Sequence, residues 1–222
     1  MEFPATTWQY SVAHTDGLGM LALSPFRVGI DVEHVRPLDA ERFDFLVLTP
    51  AERRAVYALP EGDARTLAFL RCWTRKEAVL KAVGVGIAAE LTALETGSEG
   101  LAEGFAGGLA ENLGGGLADG LAEGLAEGLA GGDGAAHVVA TAHDGGLHGL
   151  DTAHDRGLHG ADTAHPVHAG DLVDTAPLGF PGSWRTTALA VPDGWVATIA
   201  LPAGADRLPA VRRLPSVRRL RA

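Results

Sequence analysis

Hydrophobic positions follow distinct rhythms along the chain. Gly19 to Ser24 is a short apolar run and Val28 to Glu33 is a second. Pro25-Phe26-Arg27 between them predicts a turn, so the two runs read as a hairpin, which Pro37 ends. Leu38 to Leu48 repeats its apolar residues with a helical period. Thr49 then has the form of a helix cap, with Pro50 at the first helical position and Glu52 three residues after the cap. Asp63 is read as the cap of a longer helix running to about Val83, with Gly84 and Gly86 as its stop signals. Far along the chain, Trp184 to Val191 and Trp195 to Leu201 alternate and are rich in strand formers. Pro192-Asp193-Gly194 predicts the turn of a hairpin between them. Strands at both ends with helices between them predict an α+β fold, a small antiparallel sheet packed on helices.

Composition divides the chain. Of 222 residues 30 are glycine, and 20 of these lie in 90–176. That segment carries 15 acids and one base, a charge of −14; the rest has 13 acids and 17 bases, +4. The acidic total of −10 therefore belongs to the middle. The middle is also repetitive: GLADGLAEGLAEGLAGG iterates a four-residue unit, and Thr141–Asp151 recurs as Thr152–Asp162 and again, decayed, from Thr163. Glycine in every unit costs about 1 kcal/mol each in a helix relative to alanine. The expectation is an ordered lobe from 1–89 and 177–203, a low-complexity, disordered Gly/Ala/His-rich insertion over 90–176, and a loose basic tail over 204–222. Helical fragments around Leu117 to Leu129 stay open.

Several function classes are excluded. Without net basicity there is no electrostatic footprint for nucleic acid. No apolar run approaches the roughly 18 residues of a membrane helix. Met-Glu-Phe-Pro has no basic or apolar signal region. Cys72, the one cysteine, rules out a disulfide within the chain and makes a reducing cytoplasm the default. Seven of the nine histidines lie in 137–168 (His137, His143, His148, His154, His159, His165, His168). Their spacings match no closed zinc site, so an expanded repeat and a metal-binding tract are both retained.

Candidate chemistry lies in the first lobe. Asp31 and Glu33 are two apart on a predicted strand, so both carboxylates project from one face while Val28, Ile30 and Val32 point the other way, into a core. Water on an edge strand is one destination for the acids; a shared cation is another. Trp73, Glu77 and Lys81 recur at i, i+4 and i+8 on one helix face. Glu77 and Lys81 form either a simple surface ion pair or a working set. In the second case Glu77 gives a third oxygen ligand to a cation held by Asp31 and Glu33, and Lys81 meets an anion. Three hard oxygen ligands with open positions suit Mg²⁺, which favours phosphate-bearing partners.

VGIDVE followed by WTRKEAVLKAVGVGI resembles the two signature motifs of the 4′-phosphopantetheinyl transferases. The match falls on Val28-Gly29-Ile30-Asp31, Trp73, Lys76-Glu77-Ala78 and Lys81. LTPAERRAV resembles the helix between the motifs, Ser11 to Gly17 resembles an upstream His motif, and WRTTALAVPDGWVATIAL resembles the closing strand pair. The spacing is similar to the Sfp-type branch, without a counterpart of most of its N-terminal half and with the added insertion.

The resemblance implies transfer of the 4′-phosphopantetheine arm of coenzyme A to a serine of an acyl or peptidyl carrier protein, releasing 3′,5′-ADP, as in secondary metabolism. By position, Asp31, Glu33 and Glu77 bind Mg²⁺; Glu77 is the general base; Lys81 contacts the phosphates; and Ser11 and His14 belong to the coenzyme A-binding turn. It also implies self-association, because a half-molecule exposes the surface its other half covers. Two further readings stand beside it: a truncated, inactive relative that binds coenzyme A or Mg²⁺, and a scaffold whose His-rich repeat binds metal.

Overall fold

The computed structural model of the chain describes residues 8–38, 40–86, 89–98, 100–101, 137–142, 172–205 and 210–214. The chain opens with strands β1 (Gln9–Thr15) and β2 (Leu18–Ser24), paired antiparallel from Gln9–Ser24 to Thr15–Leu18. Their two-residue turn is Asp16-Gly17, with Gly17 at φ 79°, a conformation that favours glycine. This is the first hairpin, and it corrects the expected one. Strand β3 (Gly29–His34) does form where the apolar run predicted it, but it does not fold back on β2. After β2 the Ser24 hydroxyl accepts the Phe26 N–H at 3.0 Å, and the chain crosses to a second sheet.

That second sheet has the order β3-β7-β6-β5, with β5 (Leu172–Asp174), β6 (Ser183–Ala188) and β7 (Trp195–Pro202) all antiparallel to their neighbours. The β6–β7 hairpin stands as expected, with Gly194 at φ 90° in its turn. The first sheet has the order β1-β2-β4-β8, where β4 is His137–Ala142 and β8 is Ala210–Leu214. β4 runs antiparallel to β2, and β8 runs parallel to β4. Three pieces of the sequence expected to be without structure, β4 and β5 in the middle and β8 in the basic tail, are thus strands. The stretches around Leu117–Leu129 lie outside the described residues.

The helices are α1 (Asp44–Val47), α2 (Pro50–Tyr57) and α3 (Asp63–Val83). The helical period over 38–48 resolves into a 3-10 turn at Ala40–Arg42 and the single turn of α1. α2 begins with a full capping box: Thr49 accepts the Glu52 N–H, and Glu52 accepts the Thr49 N–H, which satisfies two otherwise orphaned donors. The N-cap of α3 is Gly62, without a side-chain cap bond, and Asp63 is its first residue, so the helix starts one residue earlier than expected. Its end is as predicted, at Gly84 in the left-handed conformation with its N–H on Leu80 O at 2.8 Å.

Three layers result. Ile30 and Val32 of β3 and Ala197, Ile199 and Leu201 of β7 pack with Ala13, Leu18, Met20 and Ala22 of the first sheet. The other face of the second sheet, with Val196 and Ala200, packs with α3 through Phe69, Ala78, Val79 and Ala82. Leu91, Leu94 and Leu101 close over α3 from the side, so the helical layer continues past residue 89. Fully burying an aliphatic side chain such as Ile30 is worth about 1.5–3 kcal/mol, and this double-sided core fixes β3 between its neighbours.

Candidate functional site

β3 distributes its side chains by strict alternation. Ile30 and Val32 enter the core between the sheets, so Gly29, Asp31 and Glu33 face α3. Gly29 sets the distance between strand and helix. A Cβ there would lie 1.8 Å from Ala78 O and 2.6 Å from Ala82 N, so the absence of a side chain lets the helix backbone rest on the strand. Arg27 secures the same contact by donating to Val83 O at 3.2 Å.

Strand and helix run in opposite directions, so the face Trp73, Glu77, Lys81 meets Glu33 and Asp31 in reverse order. Lys81 Nζ donates to Asp31 Oδ1 at 2.7 Å and to Ile30 O at 3.1 Å. At the other end the Trp73 side chain lies close enough to Glu33 to favour its ionised form. Glu77 lies between, close enough to Asp31 for the two charges to oppose each other. The stripe that the sequence placed on one helix face is therefore brought onto the pair that the sequence placed on one strand face.

The electrostatics are those of a crowded anionic site. Burial pushes the Asp31 carboxyl above its ordinary value, with Lys81 opposing the rise. Burial and the Asp31 charge raise Glu33, against Arg36, Lys81 and the nearby Trp73 side chain. Burial and then Asp31 raise Glu77, against Lys81. Both mechanisms disfavour the ionised form. Asp31 Oδ2 and Glu77 Oε1 are buried without a hydrogen-bond partner, although buried acceptors are nearly always satisfied.

Two orphaned carboxylate oxygens on facing elements, with a third acid beside them, are hard donors of the kind a divalent cation takes. Among the described residues no three Asp, Glu, His or Cys side chains come close enough together to hold a metal ion as they stand. The Lys81 ammonium supplies the counter-charge to Asp31 instead.

The remaining sequence-predicted residues fall in different places. Ser11 is buried, and its hydroxyl accepts the Ile30 N–H at 3.1 Å. Thr15 does the same for the His34 N–H at 3.3 Å. β1 thus satisfies the free edge of β3 with side chains, directly beside Asp31. His14 lies on the opposite, exposed face of β1 with Tyr10 and Val12, and no described contact joins it to the carboxylates. His137 begins β4; the other six histidines of the tract lie outside the described residues.

One cluster was missed from sequence. Glu52, read from sequence only as the third residue after the Thr49 cap, forms a wholly buried ion pair with Lys76 at 2.6 Å. The signal available was Lys76 itself, a lysine amid the apolar positions of α3, without anything in the sequence to name its partner.

Comparison with known proteins bears on the same stretch. Residues 27–102 match the model of the 4′-phosphopantetheinyl transferase superfamily. The chain is similar to the 4′-phosphopantetheinyl transferase HetI of Nostoc sp., 37% identical over 81 residues, which is 36% of this chain and 34% of that relative. It is similar to the 4′-phosphopantetheinyl transferase psf-1 of Bacillus pumilus, 30% identical over 96 residues, 39% of this chain and 36% of that relative. The chain thus spans about a third of the length of the curated relatives it matches.

Proposed function

We propose that this chain, which matches the 4′-phosphopantetheinyl transferase superfamily over residues 27–102, transfers the 4′-phosphopantetheine group of coenzyme A to a serine hydroxyl of an acyl or peptidyl carrier protein. The observation that carries this reading is the meeting of Asp31 and Glu33 with Trp73, Glu77 and Lys81 across the β3–α3 contact. In the reaction the serine oxygen forms a bond to the phosphorus bearing the pantetheine arm. The bond from that phosphorus to the oxygen of 3′,5′-ADP breaks, and the serine proton goes to a base.

Asp31, Glu33 and Glu77 would hold Mg²⁺, which when bound neutralises diphosphate charge in phosphoryl transfer. Glu77 receives the proton. Its proton affinity, raised by burial and by Asp31, suits a general base. Lys81, only partly buried, leaves Asp31 for the phosphates and stabilises the charge that develops on the leaving group. Ser11 serves by holding the edge of β3. His14, exposed on β1, is open to the nucleotide phosphate of coenzyme A.

The enzyme works as a transferase of the holo-carrier-protein-synthase type in this reading, in the cytoplasm. The test is release of 3′,5′-ADP. Incubated with coenzyme A, Mg²⁺ and an apo-carrier protein, the chain should liberate one 3′,5′-ADP per serine modified. Tight coenzyme A binding without release would leave only a binding relative.

A further inference from the structure

Lys76 immediately precedes Glu77 on α3 but points away from the site. Its ammonium is wholly buried and uses all three N–H groups, on Glu52 Oε2 at 2.6 Å, Val47 O at 2.6 Å and Leu91 O at 3.0 Å. Glu52 is equally buried and equally satisfied. Oε2 also accepts the Thr49 N–H at 2.9 Å, and Oε1 accepts the Thr96 N–H at 2.9 Å and the Thr96 hydroxyl at 2.7 Å. The Thr49 hydroxyl in turn donates to Glu95. The end of α1, the start of α2, the middle of α3 and the 91–96 stretch all meet at one ion pair with no donor or acceptor wasted.

Stability is a weak reason for such a pair. Taking two charges out of water roughly cancels their attraction, and well-packed apolar residues commonly do as well. Orientation is a better one. Neighbouring helix positions are about 100° apart around the axis, so a pin at Lys76 fixes both the roll and the height of α3. Glu77, the next residue, and Lys81, just over one turn further, inherit that setting. On the sheet side the Thr74 and Thr198 hydroxyls share a hydrogen bond at 3.0 Å and oppose the same roll. Productive catalytic geometry tolerates only about 10–20° of misorientation.

We propose that Lys76 and Glu52 are positioning residues, a buried pin that holds α3 at the rotation aiming Glu77 and Lys81 at Asp31 and so sets the transfer rate without contact with substrate. The proposal rests on the transferase reading above for its rate, and on the fold alone for its geometry.

The test uses the full chain carrying Glu52→Gln and Lys76→Met together, which removes both charges at nearly constant volume. Two readouts are taken: kcat and KM for transfer, and the Trp73 indole N–H signal in a ¹H–¹⁵N spectrum, which reports α3 against Glu33. The expected result is a folded protein with kcat down about 10-fold or more, the scale of a sub-ångström misplacement. KM for coenzyme A stays within about twofold. The Trp73 signal moves while that of Trp195, tied to Asp16 O on the far side, stays. A folded double variant with parental kcat and a parental Trp73 signal overturns the proposal. If the double variant does not fold, Thr96→Val decides, since it trims one bond to Glu52 Oε1 at constant shape. A several-fold loss of kcat with a shifted Trp73 signal supports the pin, and parental values overturn it. If the parent chain transfers nothing, the transferase reading falls, and the Trp73 signal alone decides the pin.

Discussion

Lys81 and Asp31 are joined at 2.7 Å across the contact between α3 and β3, and Asp31 keeps its second oxygen buried and unpartnered. The ammonium therefore offsets the charge of the site without satisfying it. Lys81→Met should lower kcat for transfer by about 10²-fold, the usual loss of one transition-state cation or donor. Because the loss leaves the buried Asp31 carboxylate without its counter-charge, the stability cost at pH 7 should be about 1–3 kcal/mol. Steady-state kinetics and thermal unfolding of the same preparation check both halves.

Glu77→Gln should act on stability in the unusual direction. Asp31, Glu33 and Glu77 all have folded-state pKa values above their ordinary values of 3.8, 4.5 and 4.5. The stability they contribute is complete below those ordinary values and is lost as pH rises through the raised ones. At pH 7 without divalent cation, Glu77→Gln removes a buried charge that opposes Asp31. Thermal unfolding should show the variant more stable than the parent by on the order of 1 kcal/mol. The difference should vanish near pH 3.5, where both side chains are neutral.

Gly29→Ala probes the closeness of strand and helix. A methyl group there would meet Ala78 O at 1.8 Å, and backbone cannot step aside as a side chain can. The expected cost is about 1–3 kcal/mol or more of overpacking, read by denaturant unfolding, with transfer lost because α3 moves off the carboxylates.

Ser11→Ala and His14→Ala should separate cleanly, although both lie on β1. Ser11→Ala strands the buried Ile30 N–H, a loss of about 1–3 kcal/mol. His14→Ala changes an exposed position, so stability should stay within about 0.5 kcal/mol while KM for coenzyme A rises.

Self-association can be tested on the outer face of the first sheet. Tyr10 and Val12 are 73% and 56% exposed, and they sit opposite Leu23 and Leu21 in the β1–β2 register. Such an apolar face favours association. Light scattering at micromolar concentration should give a mass above that of one chain, and Val12→Glu should reduce it. A single-chain mass for the parent overturns the expectation.

Much of the site was legible because it rests on two local periods. Asp31 and Glu33 share a face by the two-residue repeat of a strand, and Trp73, Glu77 and Lys81 by the turn of a helix. Both groupings survive into the structure. What was not legible depends on partners distant in sequence. β3 pairs with β7 and not with β2, because β1 and β4 occupy both edges of β2 and β3 must find its ladder elsewhere. Gly84 does stop α3, as predicted, yet the chain returns at Leu91, Leu94 and Thr96 to complete the core around α3. The Lys76–Glu52 pair was hidden for the same reason: four separate stretches supply its bonds, and each alone resembles a cap, a loop or an ordinary helical lysine.

The intact mass of an apo-carrier protein, measured after incubation with coenzyme A and Mg²⁺ and either the parent chain or Glu77→Gln, bears most directly on the idea that strand and helix form one transferring centre. The parent should add the mass of one phosphopantetheine group to the carrier, and Glu77→Gln, folded and at least as stable, should add none at equal time. A carrier left unmodified by the parent, or modified equally by both, would show that the β3–α3 contact does not perform this chemistry.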